Sequence, residues 1–247
     1  MTLRQWADDT LGEAIGLDRR RDPVLPGTGG PAGNARLTAW TGAVLLVLFL
    51  AELATLLDVS GLISWHIVVG TLLVPPALLK TASTGWRIVR YYTRRAPYVA
   101  AGPPPMPLRV LGPLVVVCTL AVLGSGLALV ALGPDASRAP WLRPLGFPVS
   151  ALTLHQATFV GWAVVTGLHT LGRLVPAFRI INQHDQAQPV PGRMPRAGLL
   201  VVSLAVAGVA AAVVLGLSGA WSTGTAFHHH HHDDAAQVRL SHQGNSR

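Results

Sequence analysis

The stretch LHQATFVGWAVVTGLHTLG, residues 154–172, decides the fold. It contains no Asp, Glu, Lys or Arg, is long enough to be one apolar helix, and holds His155 and His169 fourteen residues apart. Fourteen residues of α-helix rise about 21 Å and turn through about 1400°, which leaves both imidazoles within roughly 40° of one face. A third histidine, His66, enters another apolar segment at a matching depth. Histidine in hydrocarbon is costly and marks a functional site by default.

Working outward, the whole chain has the same character. Its 247 residues are 50% hydrophobic and only 12% charged, with a mean hydropathy of +0.44. A soluble domain carries about 25% charged residues, so the shortage of charge is the deviation. Five runs reach the ~20 residues needed to span hydrocarbon: Leu37–Leu57, Leu62–Ile88, Leu108–Leu132, Pro148–Leu174 and Ala197–Leu217. The expected fold is all-α, an integral membrane bundle with a four-helix core over residues 37–174 and a fifth helix, 197–217, at its edge.

A net charge of +8 raises the question of nucleic acid, and the placement of the charges excludes it. Arg4, Arg19, Arg20, Arg21 and Arg36 precede the first run. Lys80, Arg87, Arg90, Arg94, Arg95 and Arg109 flank the connection between the second and third, and Arg173, Arg179, Arg193 and Arg196 that between the fourth and fifth. Fifteen of the nineteen basic residues thus fall on one side, leaving Arg138, Arg143, Arg239 and Arg247 for the other. The positive-inside rule predicts a multi-pass protein of the cell membrane with a cytoplasmic N-terminus and an extracytoplasmic C-terminus.

The N-terminal stretch is acidic as well as basic and shows no cleavage pattern, so the first span is expected to stay as an anchor. Residues 1–36 read as a cytoplasmic segment with a flexible Gly/Pro linker from Pro23 to Gly33. Asp58 to Gly61 makes a tight hairpin, Tyr91 to Pro107 a basic and extended connector, and residues 175–196 a polar cytoplasmic loop. Trp141 in the outer loop reads as an interfacial anchor. Residues 218–247 read as a disordered, His-rich extracytoplasmic tail. Cys118, the single cysteine, lies mid-span and reads as a packing residue.

The second and fourth spans run in the same direction, with His66 about one turn and His155 about two turns inside their outer ends. Two imidazoles from facing helices can supply both axial positions of one haem iron. His169 is the subordinate candidate: its counterpart, fourteen residues after His66, is Lys80, and a protonated lysine does not ligate iron. Lys80 is expected to extend its charge to the interface. The expectation is therefore one haem b, or none, and not two. Each histidine has an alternative reading as a packing residue bonded to a neighbouring carbonyl. Gly70, Gly112 and Gly126 are read as room for a macrocycle or for close helix contact.

At this point the chain resembles the prokaryotic membrane cytochrome b superfamily, which includes the membrane subunits of hydrogenases and formate dehydrogenases. The resemblance covers residues 37–174. It rests on Trp65-His66, Gly70, the His155 and His169 pair within residues 154–172, and Ser83-Thr84-Gly85-Trp86-Arg87 through Tyr91-Tyr92. It implies a four-helix bundle that holds haem between histidines and passes electrons between a quinone and a partner redox subunit. Lys80 stands where that pattern has its fourth histidine.

Glu52, near the outer end of the first span, is a candidate proton relay or an orienting partner for an imidazole. His228, His229, His230, His231 and His232, followed by Asp233 and Asp234, read as a weak site for Zn²⁺, Cu²⁺ or Ni²⁺, or as an expression tag. The leading functional expectation is a b-type cytochrome-like electron carrier in a lipid bilayer, an electron-transfer subunit more than a stand-alone enzyme. A haem-free membrane scaffold or anchor competes with it, and a membrane metal-handling protein is a third reading.

Overall fold

A computed structural model describes residues 11–12, 22–103, 106–182 and 189–221. Five long helices dominate it: α1 (Gly30–Thr55), α2 (Ile63–Tyr92), α3 (Met106–Leu132), α4 (Ala151–Asn182) and α5 (Arg193–Leu217). Among the described residues there is no strand, only one isolated bridge between Leu142 and Val149 in the outer loop. At 1.5 Å per residue each helix exceeds about 35 Å, longer than the ~30 Å hydrocarbon core. All five are long and apolar enough to cross a membrane. Their outward faces carry rows such as Val201, Val202, Val206, Val209 and Val213 on α5, each more than half exposed. A row of that length is suited to lipid rather than water. The chain is a multi-pass membrane protein.

The helices outrun the apolar segments at the end of the bundle where α1 begins, here termed inner; the α1–α2 and α3–α4 connections mark the opposite, outer end. α1 begins at Gly30 rather than Leu37, α2 runs to Tyr92, and α4 continues through Pro176 to Asn182, inside the expected loop. Hydropathy marks where hydrocarbon ends, whereas a helix continues while its backbone bonds are satisfied. The Gly/Pro linker is likewise more ordered than its composition suggests. Pro31 opens α1, where a missing N–H costs nothing, and residues 29–33 are buried. The Arg196 guanidinium fastens this segment, donating to the carbonyls of Thr28 (3.0 Å) and Pro191 (2.7 Å). The basic connector is not extended throughout: Ala96–Ala101 forms a short helix.

Two hairpins make the core. α1 packs along α2 and α3 along α4, while α1 also meets α4 and α2 meets α3. α2 and α4 therefore lie diagonally across the bundle, with their facing side chains in its interior. α5 packs against the outer flank of α2, at the edge as expected. Trp162 of α4 fills the centre. Its ring meets Phe49 of α1 edge-on at 4.8 Å, and its indole N–H donates to Thr119 Oγ1 of α3 at 2.9 Å. One buried aromatic thus ties three helices together, with its polar atom satisfied.

At the outer end Ser218 and Trp221, at the start of the expected tail, are buried instead. The Trp221 indole donates to the Leu129 carbonyl at 3.2 Å, and its ring packs in a small cluster with Leu129 and Ala151. Trp141 in the outer loop and Trp65 at the outer end of α2 are exposed, as interfacial anchors are.

Candidate functional site

Four helices converge on the outer histidines. α2 delivers His66 in its first turn, and α4 delivers His155 from the diagonal position; their ring centroids are 6.4 Å apart and the rings cross at 79°. α1 supplies Glu52, whose Oε1 lies 2.9 Å from His66 Nδ1, and Thr55, whose Oγ1 lies 3.0 Å from the same nitrogen. α3 supplies Ser125, whose Oγ is 2.9 Å from His155 Nδ1.

The hydroxyls fix the tautomers. Thr55 Oγ1 donates its proton to the Glu52 carbonyl at 2.6 Å, so toward His66 it can only accept. His66 Nδ1 therefore carries the proton, shared between Thr55 and the Glu52 carboxylate. Ser125 Oγ donates to the Val122 carbonyl at 3.0 Å, which makes His155 Nδ1 a donor in the same way. Both imidazoles are thus held through Nδ1–H, and in a neutral ring so held Nε2 is the basic nitrogen. This is the arrangement in which metal-binding histidines are oriented by a carboxylate or another acceptor behind them.

The spacing also suits a shared metal. Two metal–nitrogen bonds of about 2.0 Å, with about 1.1 Å from each nitrogen to its ring centre, would put two imidazoles sharing a metal about 6.2 Å apart. Among the described residues no cluster of three or more His, Cys, Asp and Glu side chains converges on a point.

Of the glycines read as room for a macrocycle or for close helix contact, Gly126 and Gly70 serve close contact. A Cβ at Gly126 would stand 3.2 Å from His155 Cε1, and one at Gly70 would stand 3.3 Å from Glu52 Oε1. They admit the imidazole and the carboxylate. Gly112 faces open space. An apolar cleft of about 170 Å³ opens between α2 and α3, lined in part by Val74, Ala77, Leu123 and Gly124, and neither histidine lines it.

The inner level is different. His169 Nδ1 is buried with no hydrogen-bond partner. Lys80 does not reach for the interface. Its Nζ turns against α1, donates to the Thr38 carbonyl at 3.3 Å, and occupies the space left by Gly42, where a Cβ would lie 2.7 Å away. The structure thus brings together His66, His155 and Glu52, and separates His169 from them by Trp162. His228 to His232 lie outside the described residues.

Sequence reasoning missed Thr55, Ser125 and Trp162. Trp162 was legible, because it falls seven residues after His155 and seven before His169 on one seam. Thr55 and Ser125 carried no signal, since small hydroxyl residues are common in membrane helices and only their neighbours give them a role. No family model matches this chain, and no curated protein or solved structure is similar to it.

Proposed function

We propose that the protein is a membrane b-type cytochrome-like electron carrier in which His66 and His155 would hold one haem b. The observation that carries this reading is the pair of imidazoles that meet across the bundle, each with a polar partner at Nδ1 and with ring centres 6.4 Å apart. Haem, when bound, supplies one-electron chemistry; the chain supplies its placement. Glu52 and Thr55 orient the His66 ring from behind Nδ1, and Ser125 orients His155 in the same way with a neutral group. The two ligands are thereby made unequal, one backed by a carboxylate and one by a hydroxyl.

The charge distribution supports a cell-membrane topology with the N-terminus cytoplasmic and the C-terminus outside, which puts the haem near the outer face. Electrons would pass to or from a quinone or a partner redox subunit.

The test is a reduced-minus-oxidised spectrum and haem quantification on the full-length protein from haem-replete cells. A bis-imidazole spectrum at one haem per chain is expected. No haem would instead favour a scaffold or anchor, a reading supported by Gly70 and Gly126, whose spaces are already filled by protein.

A further inference from the structure

The inner end of α2 keeps an arginine where a helix ordinarily keeps a glycine. Arg94 follows the last turn of α2 with a φ of 56°, in the left-handed region. Its N–H donates to the Tyr91 carbonyl at 3.0 Å, and the Arg95 N–H donates to the Arg90 carbonyl at 3.1 Å. These two bonds make a Schellman turn, whose left-handed position usually belongs to glycine because a Cβ there crowds the following carbonyl. The ordinary task of a basic side chain at a helix C-terminus is to bond the last carbonyls. Here the backbone already bonds them, and Thr93 adds its N–H (2.9 Å) and its hydroxyl (2.8 Å) to the Val89 carbonyl. A side chain retained at a strained position points to a task for the side chain itself.

The turn lies where the apolar surface of α2 gives out. The apolar run ends at Ile88. Trp86, just before that limit, is 51% exposed, and the Arg90 guanidinium lies over its ring, 4.2 Å from the centroid. Tyr92 is 75% exposed, and Arg94 and Arg95 are both exposed. Beyond the turn, the Arg95 carbonyl accepts from the N–H groups of Tyr98 and Val99 at 2.9 and 3.0 Å and so opens the short helix Ala96–Ala101. Backbone bonds on both sides therefore hold Arg90, Arg94 and Arg95 together in one fixed turn of chain. Tryptophan and tyrosine favour the boundary between hydrocarbon and headgroups. Arginine presents a planar fork of donors that matches a phosphate.

We propose that the inner end of α2, with Arg90, Arg94 and Arg95 beside Trp86 and Tyr92, is a binding site for the phosphate headgroup of an anionic phospholipid. The arginines supply charge-assisted hydrogen bonds, about twice as strong as neutral ones. The exposed rings meet the lipid at the level where its chains begin. A lipid suits this place better than a free anion, because α2 is a spanning helix and the bilayer brings headgroups to its inner end at a fixed depth. Basic residues just beyond a span attract anionic lipid in this way. The site is separate from the outer histidines and does not depend on haem.

The experiment is thermal unfolding of the full-length protein in neutral detergent, with phosphatidylglycerol replacing phosphatidylcholine at constant total lipid. Wild type should gain a saturable rise in Tm of a few degrees, as binding to the native state alone requires. Phosphatidylcholine alone, and inorganic phosphate at constant ionic strength, should give none. Arg94→Gly relieves the left-handed strain, so without anionic lipid its Tm should equal or exceed that of wild type. Its phosphatidylglycerol midpoint should nevertheless weaken about fivefold, the worth of one basic residue near an anionic surface. Arg95→Gln leaves the strained residue untouched and should weaken the midpoint to a similar degree. Arg143→Gln removes an exposed charge from the outer loop and should leave the midpoint unchanged. The proposal is overturned if phosphatidylglycerol stabilises no better than phosphatidylcholine, or if inorganic phosphate gives the same saturable rise, which would make this a free-anion site. It is also overturned if Arg94→Gly and Arg95→Gln keep the full response, or if Arg143→Gln loses as much as they do, because net charge and not the turn would then attract the lipid.

Discussion

At the outer level α2 and α4 bring His66 and His155 together. Fourteen residues further along the same helices the pair is Lys80 and His169. Helical geometry treats the two levels alike, and chemistry does not. The outer imidazoles each have an acceptor behind Nδ1, from Glu52 and Thr55 on one side and Ser125 on the other. The inner imidazole has none, and the amine opposite it is engaged by a carbonyl of α1. On the proposed reading, the groups behind the ligands set the two levels apart as much as the ligands themselves do.

The comparison breaks most sharply on the ligands. His66→Ala and His155→Ala should each abolish the bound haem, whereas His169→Ala should retain it at wild-type stoichiometry, measured as haem per protein. Loss of haem in His169→Ala would show that the levels are not distinct. A complementary variant, Lys80→His, gives the inner level two imidazoles; it should not gain a second haem at full occupancy, because His169 Nδ1 still lacks an acceptor. Two haems per chain in that variant would show that ligand identity alone decides.

Behind the ligands, Glu52→Gln should weaken haem retention by about 10- to 100-fold, the usual consequence of removing an outer-shell partner. Ser125→Ala should do less, since a neutral hydroxyl contributes less than a carboxylate. Competition with an apo-haem acceptor protein measures both, and equal effects would remove the asymmetry between the two ligands.

Smaller effects lie in the packing. Gly33→Ala puts a Cβ into the Thr28 carbonyl oxygen, which is backbone and cannot move aside. It should destabilise the chain by about 1–3 kcal/mol. Trp162→Phe removes the indole donor to Thr119 and should cost about 0.6 kcal/mol, the mean for interhelical hydrogen bonds in a bilayer. Gly42→Ala meets only the flexible end of Lys80 and should have the smallest effect on unfolding. If Gly42→Ala proves as damaging as Gly33→Ala, the lysine is fixed more rigidly than its single hydrogen bond implies.

Much of this was legible in the residues. Five apolar runs on a charge-poor chain dictate five helices, because in hydrocarbon every backbone polar group must be bonded within its own segment. Equal 14-residue spacings on two parallel spans put His66 level with His155 and Lys80 level with His169, because rise per residue is fixed. Glu52 was singled out for its rarity, as an ionisable group in an apolar run. The tertiary structure decided what the spacing cannot. It set α2 and α4 diagonally, so that the imidazoles meet in the interior. It paired the Glu52 carboxyl group with His66 and Ser125 with His155, fixing which nitrogen of each ring has a partner. It also turned Lys80 inward over Gly42, against the expectation that its charge would seek the interface. Periodicity along a chain gives depth and face; it carries no information on which neighbouring helix lies opposite, and hydrogen-bond partners depend on that neighbour.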